Sequence, residues 1–359
     1  RMVLPRHEQG GSFAAGGYAR STGEVGVCMA TSGPGATNLI TGIIDAKMDS
    51  IPIVAITGQV ASTLLGSDAF QETDIMGATF PLVKHSYMIQ NVEEIPRIIH
   101  EAFHIARSGR PGPVLIDIPK NIQQQEGIAD FHVSFDCPSY RPNLKPSVLQ
   151  CKKAAHTIQT AKRPIIYAGG GIISSGASEE LRAFVKKTGI PVTTTAMGLG
   201  AFPSNDPLSL RMLGMHGAVY ANIAINHADL VIAMGVRFDD RVTGKLAEFC
   251  KNAQFIQIDI DPTEINKNIM IDVPIQGDVK QALKILQGYV EPKKDIKPWI
   301  KQVNDWKKEF PLEFELKEGE IVPQSVVSDV NKLSDKDAIF SVGVGQHQMW
   351  AAQFLDFDE

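Results

Sequence analysis

Pro164-Ile165-Ile166-Tyr167-Ala168-Gly169-Gly170-Gly171 is the stretch that decides the fold. An apolar run with no polar interruption passes straight into three glycines, the pattern of a strand covered on both faces that ends in a tight turn. Working outward, Ile190–Thr195, Leu230–Met234 and Phe255–Ile260 read as further strands, with helical periodicity between them. The amino-terminal third repeats the alternation with Val25–Thr31, Ile51–Gly58 and Gly112–Pro119, and Met2–Pro5 is strand-like. Between them, Ile95, Ile98, Ile99, Ala102, Phe103 and Ala106 fall at the 3–4 spacing of a helix over Glu93–Arg107. Strands and helices in alternation predict parallel α/β sheets.

Two stretches break the alternation. Asn121–Pro146 loses periodicity and carries Gln123-Gln124-Gln125, Pro138, Pro142 and Pro146, and Glu291–Pro323 is charged and punctuated by proline. Both read as linkers. After the second, a helix near Gln324–Leu333, a strand Ala338–Val344 and a helix entered at Gly345-Gln346-His347-Gln348 open a third unit. No fixed-period repeat is present. The chain opens at Arg1 in a strand-like run and stops at Asp358-Glu359 soon after a helix-compatible stretch, so it reads as an internal piece of a longer chain. Completing the cut domains at typical sizes gives a parent of about 550–600 residues.

Composition narrows the function classes. The 359 residues carry 35 Lys plus Arg against 40 Asp plus Glu, a net charge of −5 that excludes a strongly basic nucleic-acid scaffold. No apolar run approaches the roughly 18 residues of a membrane span. Hydrophobic residues at 43% are enough for more than one core. Cys28, Cys137, Cys151 and Cys250 have no C-x-x-C spacing and read as reduced thiols.

Arg6-His7-Glu8-Gln9-Gly10-Gly11 lies between the first strand-like run and a small-residue helix, Ser12–Arg20. Taken alone, Glu8 is more often a solvated charge or a helix cap than a functional carboxylate. Ser32-Gly33-Pro34-Gly35-Ala36-Thr37-Asn38 follows the next strand, where such a turn either approaches a ligand with its backbone N–H groups or is purely structural.

Together with Asp68-Ala69-Phe70-Gln71-Glu72-Thr73-Asp74, these strings resemble the pyrimidine-binding domain of the thiamine diphosphate enzymes. Within them the likeness is to the acetohydroxyacid synthase (acetolactate synthase) catalytic subunits. It continues through Ser108–Val114, Asp117–Lys120, Leu213-Gly214-Met215-His216-Gly217, Gly235–Gly244, Gln257–Asn268 and Gly345–Trp350, so it covers essentially the whole chain.

The resemblance implies a pyrimidine-binding domain over 1–125, a linker over 126–146 and a central Rossmann-like FAD-binding domain over 147–290. A second linker follows over 291–322, and 323–359 begins the diphosphate-binding domain. The implied activity is a transferase reaction, the decarboxylating condensation of pyruvate with pyruvate or 2-ketobutyrate, toward valine, leucine and isoleucine. The implied cofactors are thiamine diphosphate, Mg2+ and FAD. In the family the matching Glu shares a proton with N1′ of the aminopyrimidine, so Glu8 is the expected catalytic residue, and the cofactor performs the hard chemistry. Gln71, Gly345, Gln346 and His347 match residues around the same cofactor.

For FAD the resemblance points to Arg110, Gly169, Gly170, Gly171, Leu213, Gly214, Met215, His216 and Gly217. It adds Gly235, Val236, Arg237, Asp239, Asp240, Asp259, Ile260, Asp261, Gly277 and Asp278. An arginine suits phosphate or a stacked ring. Phe13, Lys84, Met215 and Arg241 are the implied second-ketoacid residues. The sequence departs from the common pattern at Ala61, where many members have Pro, and at Thr63, often Arg, which puts inhibitor sensitivity in doubt. Gly277-Asp278 with Asn304 imitates a metal motif, but Val279 stands where the second Gly belongs; no metal ligand is expected in this chain.

The resemblance further implies a homodimer or tetramer and a regulatory small subunit. It places such proteins in the cytoplasm of bacteria or archaea, or in a plastid or mitochondrion. Pyruvate oxidase and glyoxylate carboligase are the alternative flavin-containing relatives. The first is disfavoured by R-F-D-D-R-V-T-G and the second by Glu8. A binding module that holds FAD without catalysis is the alternative outside enzymes.

Overall fold

The computed structural model describes residues 2–128, 137–138, 140–316, 319–335 and 337–358. Much of the expected first linker, 129–136 with 139, lies outside the described residues. The chain divides into two compact units, one up to Pro142 and one from Asn143 on.

In the first unit the strands are β1 Gly26–Ala30, β2 Ile53–Gln59, β3 His85–Met88 and β4 Val114–Pro119. The helices are α1 Glu8–Thr22, α2 Pro34–Asn38, α3 Ile40–Asp49, α4 Ile75–Thr79, α5 Ile95–Arg107 and α6 Lys120–Gln123. The sheet is parallel throughout, in the order β1-β2-β4-β3. Side chains alternate across it, as the pleat requires. Ile53, Ala55 and Leu115 pack with Ala15, Leu39 and Ile43 on one side. Val54, Val114 and Ile116 pack with Ile98, Ala102 and Ile105 on the other. Two faces covered by helices explain why β2 and β4 read as unbroken apolar runs.

In the second unit the strands are β5 Pro164–Ala168, β6 Val192–Thr194, β7 Ser209–Met212, β8 Leu230–Met234, β9 Gln254–Asp259 and β10 Val273–Gln276. The helices are α7 Val148–Thr160, α8 Gly170–Ser174, α9 Ser178–Thr188, α10 Val219–His227, α11 Asp240–Thr243, α12 Val279–Gln287, α13 Lys297–Glu309, α14 Pro323–Leu333 and α15 Gln346–Phe354. All six strands are parallel, in the order β10-β9-β8-β5-β6-β7. The chain starts at the centre with β5, winds out to β7, returns to lay β8 beside β5, and winds out the other way. The reversal between β5 and β8 is a topological switch point, where open α/β sheets leave a crevice at the carboxyl ends of their strands.

Three expectations change. Met2–Pro5 forms no strand, and its Met2, Val3 and Leu4 are exposed at 87%, 73% and 95%. Ala338–Val344 likewise forms none among the described residues, with Ile339 and Val344 exposed. A strand needs a neighbour to complete its hydrogen-bond ladder, and β-branched composition does not supply one. Helix α1 begins at Glu8, so this carboxylate sits in a helical first turn instead of a loop. Strands β3, β7 and β10, each at a sheet edge, have no continuous apolar run; β10 even tolerates Pro274. No helix among the described residues is long and apolar enough to cross a membrane.

Candidate functional site

In the first unit, Glu8 is half-buried in the first turn of α1, where a negative charge is favoured by the helix dipole. Its Oε2 accepts a hydrogen bond from Asn38 Nδ2 at 3.1 Å. The bond from its own main-chain N–H, and then that from Asn38, hold the carboxyl below its ordinary value. His7 caps the helix, its Nδ1 accepting from Gln9 N at 3.1 Å.

The glycines of the Ser32–Asn38 turn make room for other parts of the chain. Gly33 has φ +64°, and a Cβ there would lie 2.8 Å from the Gln71 carbonyl oxygen. A Cβ on Gly35 would meet Thr31 Cγ2 at 2.7 Å and Glu8 Oε1 at 3.6 Å. The structure therefore brings Glu8, Asn38, the glycine turn and Gln71 together beyond the carboxyl end of β1. Gln71 itself has φ +61°, an uncommon conformation for a non-glycine residue.

The segment carrying Gln71 is held from below by groups the sequence reading passed over. Asp117, fully buried at the end of β4, accepts from Thr57 Oγ1 at 2.7 Å and from Gln59 Nε2 at 3.0 Å. Gln59 Nε2 also donates to Thr73 O at 2.7 Å. Burial pushes the Asp117 carboxyl up to about 6. The Asp-Ile-Pro string was visible in sequence, but its partner Gln59 lies 58 residues away.

Phe13 is on an exposed face of α1 at 41%. Lys84 is engaged elsewhere: its Nζ donates to Ile105 O and, at 2.6 Å, to Ser108 O, and lies 5.0 Å from the Tyr140 ring. Burial, then Lys47, lowers its ammonium to about 7. Arg110 Nε donates to Ser50 Oγ at 2.8 Å.

In the second unit, the candidate residues share one edge of the sheet. Gly169–Gly171 follow β5, Leu213–Gly217 follow β7, Gly235–Asp240 follow β8, Asp259–Asp261 end β9, and Gly277–Asp278 follow β10. At the switch point the exits of β5 and β8 touch backbone to backbone. A Cβ on Gly171 would lie 2.5 Å from Gly235 Cα, one on Gly169 would overlap the Gly235 carbonyl, and Gly171 N donates to Gly235 O at 3.2 Å. Gly170 packs more loosely, on Met197.

The Leu213–Gly217 loop is fixed by Asn222, which bonds both the N–H and the carbonyl of Gly214 at 2.8 and 2.9 Å. Met215 N donates to Arg241 O at 2.9 Å, so the two loops bearing these residues meet through the main chain while Met215, His216 and Arg241 stay exposed. The Arg237–Arg241 string splits. Phe238 is buried against Tyr167, Phe249 and Phe255, while Asp239 caps α11 through Arg241 N at 2.8 Å. Asp240 is exposed. Val236 is buried, and its carbonyl accepts from Gln257.

Asp259 accepts from Asp261 N, Asp261 from Thr263 N, and Asp278 caps α12 through Gln281 N, each at 2.9 Å. Ile260 sits between the first two. Gly345, Gln346 and His347 form the amino end of α15, with the His347 ring folded back over Gly345.

Sequence reasoning missed three groups on or beside this edge. Thr194 Oγ1 and Thr195 Oγ1, at the end of β6, and Gln257 Oε1, in β9, are buried without a hydrogen-bond partner among the described residues. Buried polar atoms are almost always satisfied, so such atoms at a strand-end crevice point to a polar ligand or to water. The signal in sequence was slight: three threonines ending an apolar strand, and one glutamine inside another. Among the described residues no group of three or more His, Cys, Asp or Glu side chains is placed to hold a metal ion.

Comparison with known proteins adds the family. Residues 1–78 match "Thiamine pyrophosphate enzyme, N-terminal TPP binding domain", and residues 151–286 match "Thiamine pyrophosphate enzyme, central domain". The chain is 53% identical over 364 aligned residues to "Acetolactate synthase 3, chloroplastic" of Brassica napus, covering 99% of this chain and 56% of that protein. It is 52% identical to "Acetolactate synthase, chloroplastic" of Arabidopsis thaliana, covering 99% and 54%. It is 51% identical to "Acetolactate synthase large subunit" of Corynebacterium glutamicum, covering 100% and 58%. The chain thus spans about half the length of the curated relatives it matches. With the parallel sheets, the Glu8 site and these matches in register, the chain belongs to the thiamine pyrophosphate enzymes and carries their N-terminal and central domains.

Proposed function

We propose that this chain is part of an acetolactate synthase catalytic subunit, which condenses pyruvate with pyruvate or 2-ketobutyrate with loss of CO2. The observation that carries the reading is Glu8: an ionised, half-buried carboxylate in a helix first turn, oriented by Asn38 and packed beside Gly35. Thiamine diphosphate, when bound, supplies the decarboxylation and carbon–carbon bond chemistry. Glu8 would hold a proton at N1′ of the aminopyrimidine, and the Gly33–Gly35 turn with Gln71 would shape the wall beside it.

FAD is the second cofactor of this reading. The unpartnered Thr194, Thr195 and Gln257 oxygens and the glycine exits of β5 and β8 fit a polar dinucleotide at the switch-point crevice. The net reaction involves no redox change, so the flavin's part is structural or vestigial. Among the described residues no group of three or more His, Cys, Asp or Glu is placed to hold a metal ion, and no residue of this chain is assigned to Mg2+. Gln346 and His347 would face the diphosphate, and Arg241 with Met215 the second ketoacid. Phe13 and Lys84 would belong to that ketoacid site as well, and Arg110 to the flavin site. The reading carries a homodimer at least, and a regulatory small subunit as a further partner.

The test is acetolactate formation by the full-length protein, read as acetoin colour after acid treatment. Glu8→Gln should lower the rate about 10²- to 10⁴-fold while flavin binding persists. A near-normal rate in that variant would remove Glu8 from this role, and activity sedimenting at monomer mass would remove the homodimer.

A further inference from the structure

Arg211 has φ +55° inside β7, a left-handed conformation that a non-glycine residue keeps only where its surroundings hold it. The register against β6 shifts at the same place. Val192 pairs with Ser209 but Thr194 with Met212, so β7 carries one extra residue. Such a bulge re-aims a side chain. The strained backbone is braced by Thr193 Oγ1, which donates to Arg211 O at 2.9 Å, and by Ser209 Oγ, which accepts from Arg211 N at 3.3 Å.

The side chain that the bulge turns out reaches the carboxyl end of α15. Its guanidinium donates to Gln353 O at 3.1 Å, Leu355 O at 3.3 Å and Asp356 Oδ1 at 2.6 Å. A cation there satisfies carbonyls that have no partner within the helix. Asp356 is held in turn by Asn331 of α14, through Oδ2 at 3.0 Å and its own N–H at 2.8 Å. Farther along the chain from Arg211, Gln353 Nε2 donates to His216 O at 2.7 Å. Helix α15 is therefore tied down both before and within the Leu213–Gly217 loop.

We propose that Arg211 is a positioning residue that locks α15, and with it the Gly345–His347 turn, to the Leu213–Gly217 loop. What the two ends bind rests on the function proposed above, in which the loop lines the flavin and the turn faces the diphosphate. The lock would keep the two in one fixed relation, so that loosening it costs cofactor affinity before it costs chemistry.

The experiment uses Arg211→Ala and Arg211→Gly in the full-length protein. Glycine adopts φ +55° without strain, so Arg211→Gly keeps the bulge while deleting the side chain that carries the guanidinium. Both variants should show amide exchange over 347–355 faster by about tenfold. The thiamine diphosphate concentration for half-maximal activity should rise about two- to thirtyfold, with kcat at saturating cofactor nearly unchanged. Arg211→Lys should recover part of both effects. Should Arg211→Ala not fold, Arg211→Gly and Asp356→Asn carry the same test. Unchanged exchange in α15, or faster exchange with an unchanged cofactor requirement, overturns the proposal. Failure of the wild-type protein to form acetolactate overturns the function instead, while exchange still decides whether the lock exists.

Discussion

Asn38 Nδ2 donates to Glu8 Oε2 across 3.1 Å, joining the start of α1 to the end of α2 over 30 residues of sequence. A bond to the ionised form favours it, so losing the bond raises the carboxyl toward its ordinary value. Asn38→Ala should therefore move the acid limb of the pH–rate profile upward and lower acetolactate formation about tenfold. The profile of the full-length variant checks this; an acid limb that stays in place would mean that Asn38 does not act through Glu8.

Asp117 makes a prediction about stability. Its native value is raised from 3.8 to about 6, so the native state binds this proton more tightly than the unfolded chain does. Its contribution is then most favourable below the unfolded value and is lost as pH rises from about 4 to about 6. Asn at 117 can still accept from Gln59 and donate to Thr57 without carrying a charge. Asp117→Asn should therefore gain on wild type across that window, by on the order of 1–3 kcal/mol at neutral pH. Thermal midpoints at pH 4.5 and 7.5 measure it, and an equal difference at both would show that Asp117 does not titrate there.

The glycines divide into those that need to be glycine and those that do not. Gly171→Ala would place a methyl 2.5 Å from Gly235 Cα and should cost about 1–3 kcal/mol. Gly235→Ala should cost more, because its φ of +60° adds backbone strain. Gly17, in α1 with nothing within 4 Å of a built Cβ, should instead gain about 0.5–1 kcal/mol as Ala. Calorimetry of the three variants orders them.

All four cysteines are buried, and none is in a disulfide among the described residues. Burial pushes the thiols of Cys28 and Cys250 up to about 12 and that of Cys151 to about 11. Since the thiolate is the reactive form, a disulfide reagent at pH 8 should label the native protein at least about a hundredfold more slowly than the protein in guanidinium. Rapid labelling of native Cys28, Cys151 or Cys250 by mass spectrometry would contradict this.

Central strands were legible because they are buried on both faces. Pro164–Ala168 and Leu230–Met234 have the bounds in the structure that their apolar runs predict. The edge strand β1 was legible as well, but the edge strand β7 was not. Ser209–Met212 holds a serine and an arginine, and its identity as a strand rests on pairing with β6. The reverse error occurred at Ala338–Val344, where apolar composition suggested a strand that has no ladder among the described residues. Glu8 and the Gly33–Gly35 turn stood out as strings, but nothing local shows that Gln71 fills the space beside Gly33, or that Lys84 turns its ammonium to the end of α5.

The sequence by itself determined the parallel α/β class, the alternation of strand and helix in both units, and the strings that tie the chain to its family. Those properties are written in periodicity and in short contiguous motifs. Only the tertiary structure decided the strand order with its switch point, the seating of Glu8 on Asn38, the unpartnered oxygens of Thr194, Thr195 and Gln257, and the reach of Arg211 to α15. Each of these depends on groups far apart along the chain, whose distances are set by packing and main-chain pairing rather than by any local preference.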